Sequence, residues 1–158
     1  MYAYGQGVQQ DYSKSLKWMR LSAKQGNAKA QYSLGYLFKK GRGVAKNFVE
    51  ASSWFKLSAE QGFAPAQNEL GESYLYGEGV TQNKERAIHF LSLAARQGNI
   101  QSHRNLGLVY DLYEEKNIKR ALMWFLVAAL TGDKEVETLA QKMKENEGIS
   151  LNEFLDIQ

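Results

Sequence analysis

The chain has 158 residues, of which 44% are hydrophobic and 12% aromatic, enough apolar material for the core of one folded domain. It contains no cysteine, which excludes disulfide bonds and thiolate chemistry, and no apolar run approaches the roughly 18 residues of a membrane span. The net charge is uneven, because residues 1–49 hold nine basic residues and one acid (+8), whereas residues 50–158 hold eleven and sixteen (−5). This asymmetry indicates an acidic partner, head-to-tail contact, or only a drift in the charge of solvated faces.

One glycine-containing tetrapeptide occurs three times, at a constant spacing of 36 residues. A fixed period of this size is typical of a solenoid, in which each unit is a helical or strand module that cannot bury its apolar face alone. The copies are Gly5-Gln6-Gly7-Val8, Gly41-Arg42-Gly43-Val44 and Gly77-Glu78-Gly79-Val80. Phosphate-binding loops also contain Gly-x-Gly, but they need a third glycine or a Gly-Lys-Ser/Thr sequence that these copies lack, so we interpret the repeat as architecture.

Each of the three tetrapeptides is followed by a predicted helix, named helix B, and a fourth helix B is predicted after residues 111–117, where the tetrapeptide is absent. Small or apolar residues recur in it at offsets 0, 3, 4, 7 and 8, which places them on one helical face. The four sets are Ser15, Trp18, Met19, Ser22, Ala23; Ala51, Trp54, Phe55, Ser58, Ala59; Ala87, Phe90, Leu91, Ala94, Ala95; and Ala121, Trp124, Phe125, Ala128, Ala129. An N-capping Asp or Asn precedes each helix and a left-handed glycine is expected to close it. These residues are Asp11, Asn47, Asn83 and Asn117, with Gly26, Gly62, Gly98 and Gly132.

A second helix, named helix A, is predicted after each of the first three closing glycines. Its core stripe contains a glycine in mid-helix, although glycine there costs roughly 1 kcal/mol relative to alanine. We therefore expect helix B to approach the backbone of helix A closely at that glycine. The stripes are Ala30, Leu34, Gly35, Phe38; Ala66, Leu70, Gly71, Tyr74; and Ser102, Leu106, Gly107, Tyr110.

The order Ala-x-x-x-Leu-Gly-x-x-Tyr/Phe-x-x-Gly-x-Gly-Val-x-x-Asn resembles the Sel-one-like repeat family, whose members are α/α solenoids related to tetratricopeptide repeats. The resemblance implies an all-α, right-handed superhelix of helix pairs that serves as a non-enzymatic adaptor in protein complexes. It also implies that bacterial relatives are often secreted or periplasmic. The predicted units are 1–26 (shortened), 27–62, 63–98 and 99–132, followed by capping helices over 133–158 that keep an apolar stripe at Val136, Leu139, Ala140 and Met143.

The first unit is expected to be incomplete, because the period places Met1 inside helix A. Helix B of that unit would then expose Trp18, Met19 and Leu21, and exposed apolar patches mark interaction sites or truncation. We expect either a longer protein or self-association through this end. The compartment stays open, because a signal peptide could lie upstream.

The partner-binding residues are predicted on helix A, on the side opposite its core stripe. In the related superhelices helix A lines a concave groove, and these positions differ between units whereas the core positions do not. Mixed aromatic and charged residues suit an extended peptide or a partner helix. The predicted contacts, named the A-helix face, are Tyr32, Tyr36, Lys39, Asn68, Glu72, Leu75, Arg104, Leu108 and Asp111.

Two other functions remain as alternatives. A cell-envelope binder or hydrolase would use Glu69, Glu72 and Tyr76, since two nearby carboxyl groups can divide acid and base roles. A nucleic-acid binder would use the basic N-terminal end, where Lys39, Lys40 and Arg42 follow Tyr36. We expect no metal or cofactor, because His89 and His103 occupy different phases of the period.

Overall fold

The computed structural model describes residues 12–113 and positions 121, 123, 124 and 127. Residues 12–113 form six α-helices joined by short loops, without a β-strand in that range. Helices α1, α3 and α5 are the B helices, and α2, α4 and α6 are the A helices. Their bounds are α1 Tyr12–Lys24, α2 Ala28–Lys40, α3 Phe48–Glu60, α4 Ala64–Tyr76, α5 Lys84–Arg96 and α6 Ile100–Tyr113.

The core lies between consecutive helices, because each helix packs against the next one along the chain. Leu34, Leu70 and Leu106 occupy the same phase of the three A helices and are each no more than 1% exposed. Phe55 of α3 and Leu91 of α5 are fully buried and belong to the same hydrophobic cluster as Leu70 and Leu106. The predicted core stripes of α2 to α6 are buried or partly buried, whereas Trp18 of the first stripe is 60% exposed. Phe125, Ala128 and Ala129 of the fourth stripe lie outside the described residues. The fold is an all-α helical repeat solenoid.

The mid-helix glycines mark where the B helices come closest, as the sequence predicts. A Cβ atom added at Gly71 would lie 2.6 Å from Cγ and 3.2 Å from the backbone nitrogen of Leu91. One added at Gly35 would lie 2.7 Å from the ring of Phe55 and 3.0 Å from the carbonyl oxygen of Ala51. At each position the shortest of these distances is less than a Cβ atom tolerates, so a residue larger than glycine would force Leu91 or Phe55 to shift.

The helix ends also follow the predicted capping pattern. The side chain of Asn47 accepts hydrogen bonds from the N–H groups of Val49 and Glu50, and Asn83 accepts one from Arg86. Each B helix closes on a left-handed glycine with paired 6→1 and 5→2 backbone hydrogen bonds, the Schellman arrangement. These glycines are Gly26, Gly62 and Gly98, with φ of 90°, 83° and 79°.

A loop contact joins one unit to the preceding one. Gly79 has a φ of 74°, and an added Cβ atom would clash with the carbonyl group of Phe48 at the start of α3. The hydroxyl of Ser52 in α3 donates to the carbonyl oxygen of Gly79 at 3.1 Å. The Gly-x-Gly loop is therefore held against the helix of its neighbour, which supports the architectural interpretation of the tetrapeptide.

Glutamine side chains add a second link between units. Gln61 donates to the side-chain oxygen of Gln31 at 2.7 Å, and 36 residues later Gln97 donates to Gln67 at 2.8 Å. Gln31 and Gln67 each donate in turn to a backbone carbonyl of the preceding B helix. The glutamines thus repeat one hydrogen-bond pattern at the same period as the apolar core.

No helix within the described residues is long and apolar enough to cross a lipid bilayer. The predictions for the N-cap residues Asp11 and Asn117, the closing Gly132 and the capping helices over 133–158 lie outside the described residues.

Candidate partner-binding surface

The A-helix face is built from three sets of positions that recur in α2, α4 and α6. Tyr36, Glu72 and Leu108 share one phase of the period and are all partly exposed. Their side chains are an aromatic ring, a carboxylate and an aliphatic group, so one structural position offers three chemistries. This is the pattern expected where the backbone is held constant and the surface varies.

The two tyrosines of the A-helix face, Tyr32 and Tyr36, pack against other side chains of the protein. The ring of Tyr32 lies 5.4 Å from that of Phe63 in an edge-on contact and 5.9 Å from that of Phe55, measured between centroids. Tyr36 contacts Tyr32 at 6.3 Å, and the ammonium group of Lys40 lies 5.6 Å from the Tyr36 ring. These contacts hold both tyrosines in place, and rigid aromatic side chains bind partners at little cost in conformational entropy.

Lys39 links helix α2 to helix α4. Its Nζ donates to Glu69 at 2.7 Å and to Glu72 at 3.1 Å, and lies 3.9 Å from an oxygen of Glu78. The side chains of Lys39, Glu69 and Glu72 are only 14–19% exposed. The cation therefore neutralises two carboxylates in a partly desolvated position.

The same carboxylate of Glu72 continues the contacts into helix α6. Its Oε1 accepts from the amide groups of Asn105 at 2.8 Å and Asn68 at 3.1 Å. The side-chain oxygen of Asn68 accepts from Asn105 at 3.0 Å and from the hydroxyl of Ser102 at 2.9 Å. Together with Lys39 and Glu69, these residues form a continuous set of bonds across three A helices, named the interhelical polar network.

Burial and neighbouring charges shift the pKa values of Lys39, Glu69 and Tyr32. Burial alone would lower the pKa of Lys39, but its ion pairs with Glu69 and Glu72 outweigh burial and raise that pKa above its ordinary value. Burial raises the pKa of Glu69, and Lys39 opposes the rise. Burial and the negative charge of Glu69 raise the pKa of Tyr32. The charged state of Glu69 thus depends on Lys39.

Two of the predicted contact residues need correction. Leu75 is 1% exposed and Asn68 is 5% exposed, so neither offers surface to a partner. Leu75 belongs to the hydrophobic core and Asn68 to the interhelical polar network. The prediction failed at Asn68 because Ser102 and Asn105 of α6 bond to its side chain, and at Leu75 because this residue joins the core cluster. A pattern within a single helix reveals neither contact.

The remaining predicted residues keep access to solvent or lie beyond the described side chains. Tyr32, Tyr36, Lys39, Glu72, Arg104 and Leu108 are partly exposed, whereas the side chain of Asp111 is outside the description. The sequence pattern missed Ser102 and Asn105 as members of the interhelical polar network. Asn105 stands 36 residues after Glu69, so the period itself held the signal for a second polar residue at that position.

Glu69 and Glu72 are the two carboxylates that a hydrolase would use as acid and base. A general acid and base need different protonation states and access to a substrate. Glu69 and Glu72 instead share one lysine, an arrangement typical of a structural ion pair. His89 is exposed, whereas His103 is 9% exposed and packs against Trp124 at 5.8 Å between ring centroids.

A family model described as the Sel1 repeat matches the sequence in four consecutive copies, at residues 1–27, 28–63, 64–99 and 100–133. These copies cover more than half of the chain. The chain belongs to the Sel1 repeat family. Proteins of this family are generally protein-interaction scaffolds, and the repeat fold is typically non-catalytic.

Two solved bacterial Sel1-type structures are similar along most of the chain. A Sel1 repeat protein from Oxalobacter formigenes is 32% identical over 94% of this chain, with a TM-score of 0.84. A protective antigen present in uropathogenic Escherichia coli strains, which displays an SLR fold, is 34% identical over 96%, with a TM-score of 0.87. This chain spans 63% of the first protein and 33% of the second. None of the curated proteins matches it.

Proposed function

We propose that this Sel1 repeat chain is a non-enzymatic scaffold that binds an extended peptide or a helix of a partner protein on its A-helix face. The observation that carries the proposal is the contrast between core and surface at equivalent positions. Leu34, Leu70 and Leu106 are the same residue and are buried in every unit. The partly exposed positions two residues later are Tyr, Glu and Leu.

The internal ion pairs of the face make some of its charged residues less available to a partner. Lys39 and Glu72 already form an ion pair in a partly desolvated position, which a partner would have to disrupt to use either charge. Tyr36, Arg104 and Leu108 are further partly exposed residues of the face and are the proposed contacts, with Tyr36 as the aromatic anchor. A partner that presents an apolar side chain to Tyr36 and an acidic group to Arg104 fits this arrangement.

A peptide library displayed on phage, selected against the wild-type chain, tests the proposal. Peptides enriched by the selection are expected to bind Tyr36→Ala/Arg104→Ala at least about tenfold more weakly, which corresponds to about 1.4 kcal/mol. The matched control, Val49→Ala/Arg96→Ala, changes exposed residues on the B helices and is expected to bind like the wild type. Isothermal titration calorimetry measures the affinities, after circular dichroism has shown that both variants are folded.

Peptides that bind both variants with wild-type affinity would exclude the A-helix face as the site. Weaker binding by the control alone would move the site to the B helices.

A further inference from the structure

Helix α1 exposes a tryptophan at a position where the other described B helices hold a half-buried aromatic residue. Trp18 is 60% exposed, whereas Trp54 and Phe90, at the same phase of the period, are half-buried. Phe90 stacks on Tyr74 with ring centroids 5.9 Å apart, and no aromatic ring within the described residues pairs with Trp18 in this way. Leu21 is 48% exposed beside Trp18. A cleft of about 430 Å³ runs along this surface.

The apolar surface is flanked by positive charge. Lys17, Arg20 and Lys24 line the same cleft and are exposed, and helix α1 contains no acidic residue. Glu50 of α3 lines a neighbouring cleft with Arg20 and Lys24. Across the described part of the chain these three cations have no ion-pair partner. The surface, named the α1 face, is defined by Trp18, Leu21 and these cations.

The opposite end of the sequence has complementary chemistry. Residues 133–158 contain seven acidic and three basic residues. Their apolar residues include a run with helical spacing, at Val136, Leu139, Ala140 and Met143. The sequence pattern alone assigns this stripe to a cap, but a segment that is both acidic and amphipathic can instead bury its apolar side against Trp18 and Leu21 of another copy and place carboxylates near the cations.

We infer that the α1 face docks a second copy of this chain through the acidic segment 133–158 of that copy. Burial of Trp18 and Leu21 supplies most of the affinity, because exposed ion pairs contribute at most about 1 kcal/mol each. The charges set the orientation and the association rate. Since the two contacting surfaces differ, the contact leaves a free surface at each end, and further copies add head to tail.

Sedimentation velocity of the full chain, from about 5 µM to about 500 µM, tests the inference. The mean mass is expected to rise with concentration, and to rise less at about 500 mM NaCl than at about 50 mM, where charges are screened less. Lys17→Glu/Arg20→Glu/Lys24→Glu and Glu135→Lys/Glu137→Lys/Glu145→Lys are each expected to stay monomeric alone. An equimolar mixture of the two is expected to associate, because each carries a surface complementary to the other.

Matched controls separate this contact from general charge effects and from the A-helix face. Arg42→Glu/Lys56→Glu/Arg96→Glu makes the same change in net charge at exposed residues outside α1 and is expected to associate like the wild type. Trp18→Ala is expected to weaken association at least tenfold, whereas Val49→Ala, at a 62% exposed residue, is expected to have no effect. Tyr36→Ala/Arg104→Ala is also expected to associate normally.

A wild-type chain that stays monomeric at every concentration would overturn the inference. So would a mixture of the two charge-reversed variants that remains monomeric, which would assign the α1 face to an acidic protein other than this chain. An equal loss of association in Arg42→Glu/Lys56→Glu/Arg96→Glu would show that the charge-reversed variants dissociate because of their net charge alone.

Discussion

Single glycines decide how closely the helices of this chain pack. At Gly71 the side chain and backbone of Leu91 occupy the space that a methyl group would need. The sequence alone predicts this close approach, because a mid-helix glycine that recurs at one phase requires a reason in packing. The burial of Leu75 could not be predicted in the same way, because it depends on how residues of several helices assemble into one core cluster.

Replacement of Gly71 by alanine tests the packing. Alanine favours an isolated helix by roughly 1 kcal/mol, but the clash with Leu91 is expected to reverse the sign and to destabilise the protein by about 1–3 kcal/mol. Urea denaturation followed by circular dichroism measures the change. Ser53→Ala, at an exposed site in α3, is the control and is expected to change stability by less than about 0.5 kcal/mol. An alanine variant as stable as the wild type would mean that the helices can separate without loss.

At the scale of helices, the polar contacts between neighbours are as regular as the apolar ones. Glutamine pairs join the two helices of a unit, α2 to the end of α3 and α4 to the end of α5, and the interhelical polar network joins α2, α4 and α6. The network contains a lysine between two carboxylates, so we expect the link between α2 and α4 to depend on pH.

Lys39→Met is expected to lose stability as the pH rises. Burial already raises the pKa of Glu69, and without the cation this pKa rises further because Glu72 remains nearby. A carboxyl group whose pKa is higher in the folded than in the unfolded state destabilises the fold as the pH rises through that pKa. The stability difference from the wild type should therefore widen between about pH 5 and about pH 8, to about 1–3 kcal/mol.

Thermal and urea unfolding across this pH range measure the difference. Lys29→Met, at an exposed residue of the same helix, is the control and is expected to follow the wild type at each pH. A gap between Lys39→Met and the wild type that stays constant with pH would show that Glu69 is not coupled to Lys39.

For the whole molecule, the 36-residue period predicts most of the fold and less of the site. Core positions such as Leu34, Leu70 and Leu106 could be predicted, because burial within a helix pair follows from helical periodicity. The contacts of Lys39 with Glu69 and Glu72 could not, because they join residues 30 and 33 positions apart in different helix pairs. Their geometry depends on how one unit is rotated relative to the next.

Removal of one complete unit tests the modular stacking. Deletion of residues 63–98 joins two equivalent positions of the period and is expected to leave a folded, cooperatively melting protein with a lower melting temperature. Deletion of residues 63–80 removes α4 and leaves α5 without its partner, so it is expected to abolish cooperative unfolding. Circular dichroism distinguishes the two results. Equal loss of folding in both variants would contradict stacking of independent units.

The lysine that bridges α2 and α4 also constrains how this surface can diversify. A substitution at Lys39 strands two partly desolvated carboxylates on α4, whereas a substitution at Glu69 or Glu72 leaves Lys39 paired with the other carboxylate. A combinatorial library intended to retarget the protein should therefore keep Lys39 fixed. Tyr36 and Leu108, which lie outside this ion-pair cluster, can then be varied one at a time.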